Sequence, residues 1–85
     1  MKNYIKIFMK DVGIKTNEKF RILSRSRPNG YWDNGSIYWF NDKYELMYAD
    51  EHLCERNRTY WFSERNGGFY LYDLLTGNFH DIIKS

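Results

Sequence analysis

Two runs of consecutive aromatic residues, Tyr38-Trp39-Phe40 and Tyr60-Trp61-Phe62, constrain this chain more than any other feature. A strand sends successive side chains to opposite faces. If Trp39 and Trp61 enter a core, their aromatic neighbours face away from it, or the reverse. A sheet built from such strands is apolar on both faces. One helix covers one face easily and two with difficulty, so the other face needs a second layer, a partner or water.

One covering helix is legible at the N-terminus. Tyr4, Ile5, Phe8, Met9 and Val12 recur at helical spacing, and Lys2, Lys6 and Lys10 fall on the other side. Gly13 suits the left-handed residue that ends a helix. The spacing predicts a helix over 2–12, with Phe8, Met9 and Val12 against a sheet.

The strands follow. Phe20, Ile22 and Ser24 alternate with Arg21, Leu23 and Arg25 over residues 19–25, and continued alternation puts Arg21, Arg25 and Arg27 on one face. Arg27-Pro28-Asn29-Gly30 and Asp33-Asn34-Gly35 carry turn residues. Residues 36–41 read as a strand and 44–48 as its hairpin partner. Residues 50–57 read as a polar loop or short helical turn, and 59–63 as another strand. The stretch 69–77 admits two readings: a strand paired across Asn66-Gly67-Gly68, or a short helix stopped by Gly77. The Leu74-Leu75-Thr76-Gly77 ending favours the helix. Residues 79–84 close the chain as a strand. The expected class is α+β: an N-terminal helix packed on one antiparallel sheet of four to five strands, with a short second helix near the C-terminus as an option.

Size and composition bound the rest. Eighty-five residues hold one domain, 1–85. Mean hydropathy is −0.77, and no apolar run approaches the ~18 residues of a membrane span. Lys6, Lys10 and Asp11 interrupt the N-terminal apolar stretch, against a signal peptide. The single cysteine, Cys54, excludes an internal disulfide and suits a reducing cytoplasm. Eight Tyr, six Phe and three Trp exceed what a small core needs, so some rings should face partners. Residues 1–30 hold eight Lys/Arg against Asp11 and Glu18, a balance of +6; residues 31–85 hold five against nine acids, a balance of −4. The pattern allows a basic and an acidic face, but neither a basic nucleic-acid arm nor a wholesale mimic of DNA charge.

The order Asn3-Tyr4-Ile5, then Val12-Gly13-Ile14, Glu18-Lys19-Phe20-Arg21-Ile22, Tyr38-Trp39-Phe40, Asp73-Leu74-Leu75-Thr76-Gly77 and Ile82-Ile83-Lys84 resembles small early proteins of phages and prophages of low-GC Gram-positive bacteria. In those, a helix precedes a G-(V/I)-x-x-x-E-x-F-x-I strand, and an LL-(T/N)-G end precedes a last strand. Several small phage proteins of this size class inhibit host defences, CRISPR effectors included. The resemblance therefore implies an anti-defence role in the host cytoplasm.

Catalytic chemistry has little to stand on. His52 and Cys54 lack the further ligands of a zinc site. A nucleophilic Cys54 would need a placed base and an oxyanion donor. Gly67-Gly68 has neither the spacing nor the Lys of a phosphate loop. The expectation is no enzyme, no metal and no cofactor. The candidate partner-binding set is Arg21, Arg25, Arg27, Tyr31, Trp32, Trp39 and Trp61, with Glu51 and Glu55 in an acidic loop that mimics phosphates locally. Arginine beside exposed aromatics forms protein hot spots, and it also binds phosphate and stacks on bases. The expected function is a non-enzymatic inhibitor that occludes a host protein, with a nucleic-acid-binding module as the alternative.

Overall fold

A computed structural model describes residues 2–25, 30–49, 52, 54–58, 62–63 and 68–84. Helix α1 spans Lys2–Val12 and buries Ile5, Phe8 and Met9. Strands β1 (Phe20–Leu23), β2 (Ile37–Phe40), β3 (Leu46–Ala49), β4 (Glu55–Asn57) and β7 (Asp81–Lys84) form one antiparallel sheet in the order β4-β3-β2-β1-β7. A second hairpin pairs β5 (Phe62–Ser63) with β6 (Gly68–Phe69). Helix α2 follows at once over Tyr70–Leu75. The α+β expectation holds, and the second helix is present.

The core lies between the helices and one face of the sheet. Phe20 and Ile22 from β1, Tyr38 and Phe40 from β2, and Leu46 and Tyr48 from β3 point inward with Ile5, Phe8, Met9, Leu71 and Leu74. Phe20 stacks between Tyr38 and Phe40, at 6.2 and 5.9 Å between centroids. Phe8 meets Phe40 and Phe79 edge-on, each at 6.1 Å. Val12 packs on the rim of this cluster, as the helical spacing predicts.

Both helices end in the same device. After α1, Ile14 N–H donates to the Met9 carbonyl (2.8 Å) and Gly13 N–H to that of Lys10 (3.3 Å). After α2, Asn78 and Gly77 bond Asp73 and Leu74 in the same pattern. Gly13 and Gly77 have φ of 73° and 79°, the left-handed position of a Schellman cap, where a Cβ is disfavoured. Buried Ile14 completes the first cap by packing into the core. The Lys84 ammonium donates to the Gly13 carbonyl, tying the last strand to the negative end of α1.

Three local expectations need correction. Tyr4 is 68% exposed rather than core. Phe8 and Met9 bound an arc of about 100°, and Tyr4 falls about 40° beyond Phe8. Residues 55–57 form strand β4, where a polar loop or helical turn was expected. An edge strand whose residues all face solvent carries no apolar alternation, and its pairing comes from β3. The choice posed for 69–77 is resolved in both directions: Phe69 pairs with Phe62, and the helix begins at the next residue. Among the described residues, no helix is long and apolar enough to cross a membrane.

Candidate functional site

The sheet face turned away from the helices carries the residues that alternate with the core. Along β1 these are Arg21 and Leu23, along β2 Ile37 and Trp39, along β3 Met47 and Ala49, and along β7 Asp81 and Ile83. All are half-buried except Trp39, which is only 6% exposed, and Asp81, which is exposed.

The burial of Trp39 has a local cause. Phe20 opposes Tyr38, and the same antiparallel register brings Lys19 opposite Trp39. The Lys19 ammonium lies 3.5 Å from the centroid of the Trp39 ring. Met47 flanks it on β3 as its direct partner. A second cation repeats the arrangement. Tyr31 forms an isolated bridge with Leu23, which brings its ring beneath the Arg21 guanidinium at 4.6 Å. Each contact is attractive by about 0.5–2 kcal/mol, depending on desolvation. More consequentially, it fixes a long cationic side chain over a ring, so less rotamer entropy remains to be lost on binding.

The turn beside this face is anchored to the core. Asn34 and Gly35 have φ of 59° and 87°, and Ser36 N–H donates to the Asp33 carbonyl at 3.2 Å, as in a type I′ turn. The buried Tyr38 hydroxyl donates to the Asp33 carboxylate. This bond holds residues 32–35 against the sheet, and with them the approach of Tyr31 to Arg21.

The expected residues are divided by the fold. Arg21, Tyr31 and Trp39 do share the outer face. Trp32 does not: it is half-buried on the core side, edge-on to Tyr38 at 6.3 Å. It was expected beside the arginines in the open, but Tyr31 is extended where it bridges Leu23, so the next residue points to the opposite side. Trp39 is not an open ring either, because Lys19 covers it. Arg25 is exposed but lies in a bend beyond the end of β1, so the alternation that joined it to Arg21 stops at Leu23. Ser24 N–H donates to the Gly30 carbonyl at 2.7 Å, where the chain has already turned. Glu55 is exposed on β4 opposite Ala49. Arg27, Glu51 and Trp61 lie outside the described residues, as does all but Gly30 of the turn expected at 27–30. Lys19, which the nucleic-acid alternative would place on a phosphate with Arg21, Arg25 and Arg27, is instead the cation that covers the Trp39 ring. Its signal was the register: a lysine directly across a strand pair from a tryptophan.

Electrostatically, the face is cationic over its aromatic middle and acidic at its margins. Asp81 stands on edge strand β7 and Glu55 on edge strand β4, with Lys19 and Arg21 between them. Beside the β2–β3 hairpin, the Asn41 and Asn57 side-chain amides donate to the Glu45 carboxylate at 3.0 and 2.8 Å. These bonds, chiefly the one from Asn41, hold its pKa below the ordinary glutamate value. They also staple β4 to the hairpin. Among the described residues, no group of three or more His, Cys, Asp or Glu side chains is placed to hold a metal ion. Cys54 is exposed.

Comparison with protein-family models, with curated proteins and with solved structures gave no match.

Proposed function

We propose that this chain is a non-enzymatic binding protein that inhibits a host protein by covering part of its surface with the outer sheet face. The observation that carries the reading is the pair of cation-covered rings, Lys19 on Trp39 and Arg21 on Tyr31. A ring beneath a cation is a poor platform for a nucleic-acid base, which needs an open π-face. Acids at both margins also repel a phosphate backbone. A protein partner fits better: pre-positioned cations meet carboxylates, the half-buried Leu23, Ile37, Met47 and Ile83 supply apolar contact, and Asp81 and Glu55 pair with basic groups at the rim. The resemblance to phage early proteins supplies the class of partner, a bacterial defence effector such as a CRISPR nuclease in the host cytoplasm.

The test is a tagged pull-down from a low-GC Gram-positive host with mass spectrometry, followed by inhibition of the purified effector. The reading requires one effector subunit enriched by the natural chain and lost with the Lys19→Ala/Arg21→Ala double variant. Circular dichroism should show that the variant remains folded. Recovery of nucleic acid alone, with affinity falling steeply as salt rises, would replace this reading with the nucleic-acid one.

A further inference from the structure

The outward arc of α1 carries a second, unrelated feature. Ile7 is 58% exposed and Tyr4, one turn before it, 68%. Large apolar side chains three residues apart on a helix are neighbours, so they form one patch. Asn3, Lys10 and Asp11 frame it, and all three are exposed.

These five residues have an internal symmetry. At about 100° per residue, Tyr4 and Asp11 lie to one side of a line through Ile7, and Asn3 and Lys10 lie to the other. Measured along the axis from Ile7, Tyr4 is about 4.5 Å towards the N-terminus and Asp11 about 6 Å towards the C-terminus; Lys10 and Asn3 mirror them. A two-fold axis through Ile7, perpendicular to α1, therefore brings Tyr4 of one copy beside Asp11 of the other. It brings Asn3 beside Lys10 in the same way. Each pair joins a donor to an acceptor: the tyrosine hydroxyl to the carboxylate, and the ammonium to the amide oxygen. The two Ile7 side chains meet on the axis. A surface that complements itself under a two-fold axis is what an isologous dimer requires.

Asp11 supplies an independent argument. It sits in the last turn of α1, where the helix dipole disfavours an anion, and the first turn of α1 contains no acid. In an antiparallel pair, Asp11 of each copy lies against the positive end of the other helix. The charge that is misplaced in one chain is well placed in two.

We infer that α1 is a self-association surface whose occupant is a second copy of this chain, packed antiparallel with Ile7 on the two-fold axis. The patch is about two turns of one helix, well below the ~800 Å² per partner of a standard interface, so the dimer is weak, with a dissociation constant on the order of 0.1–1 mM. The surface lies on the helix layer, across the sheet from the face assigned to the partner, so dimerisation leaves that face free and makes the protein bivalent.

Sedimentation equilibrium on the full chain, from about 10 μM to about 1 mM, tests this directly. The weight-average mass should rise from 10.4 kDa towards twice that value. Ile7→Glu should remain at the monomer mass throughout, and Asp11→Lys should weaken association at least tenfold. Both positions are exposed, so circular dichroism and melting should match the natural chain. Concentration-dependent amide shifts should centre on residues 3–11. A natural chain that stays monomeric overturns the inference. So does a dimer that survives Ile7→Glu, or shifts that centre on the sheet.

Discussion

Truncating Phe8 to alanine tests the packing that defines this fold. Phe8 is buried on α1 and makes edge-on contacts with Phe40 of β2 and with Phe79 before β7. Its removal opens a cavity where the helix meets both the middle and the edge of the sheet. Large-to-small changes of this kind cost about 3–5 kcal/mol. A chain of this length has roughly 4–13 kcal/mol in all, so near the middle of both ranges the variant loses about half of its stability. At about 4–8 °C per kcal/mol, a loss near the middle of the range lowers Tm by about 15–30 °C. Phe8→Leu retains most of the apolar volume and loses the ring pairs, about 1–2 kcal/mol. The contrast that isolates the cause is Tyr4→Ala, one turn away on the same helix but largely exposed, which should cost under about 0.5 kcal/mol. Thermal and urea melts followed by circular dichroism, at low micromolar protein, measure all three. If Phe8→Ala melts within about 5 °C of the natural chain, or Tyr4→Ala is the more damaging, α1 is not docked through this face and the packing argument fails.

Gly77→Ala isolates the cost of a left-handed cap, because an added Cβ there meets nothing within 4 Å. The strain, partly offset by a stiffer unfolded chain, should leave a net loss of about 1 kcal/mol in a urea melt. Glu45 has a folded-state pKa below its unfolded value, so its contribution is present above the unfolded pKa and fades as pH falls through the folded one. In an NMR titration Asn41→Ala should raise the Glu45 pKa more than Asn57→Ala, and Glu45→Gln should remove this part of the acid sensitivity; equal titration in all the chains would contradict the clamp. Cys54→Ser should leave partner binding and thermal stability unchanged in chelator, since Cys54 is exposed; loss of binding on chelation would reveal a metal requirement.

Local sequence determined the elements whose signals are local. The spacing of Ile5, Phe8, Met9 and Val12 and the stop at Gly13 fix α1, because helix periodicity and a left-handed cap are properties of adjacent residues. The alternation of Phe20 and Ile22 with Arg21 fixes which side of β1 is core, because a charged and an apolar face are told apart by their residues alone. The aromatic triplet required Trp39 to part from Tyr38 and Phe40, and the pairing of Phe20 with Tyr38 decided that the latter two enter the core. Only the tertiary structure decided what became of the rest. β4 exists because β3 offers it a hydrogen-bonding edge, which no pattern within Glu55–Asn57 encodes. Trp39 is covered because Lys19, twenty positions earlier, is delivered across from it by the pairing of Phe20 with Tyr38. Trp32 reaches the core side because Tyr31 is extended where it bridges the outward-facing Leu23, so the next side chain points to the opposite face. Tyr4 is left in the open because the sheet accepts an arc of the helix narrower than its apolar stripe. In each case the deciding contact joins residues brought together by strand pairing or layer packing, and such contacts do not exist until the chain has folded.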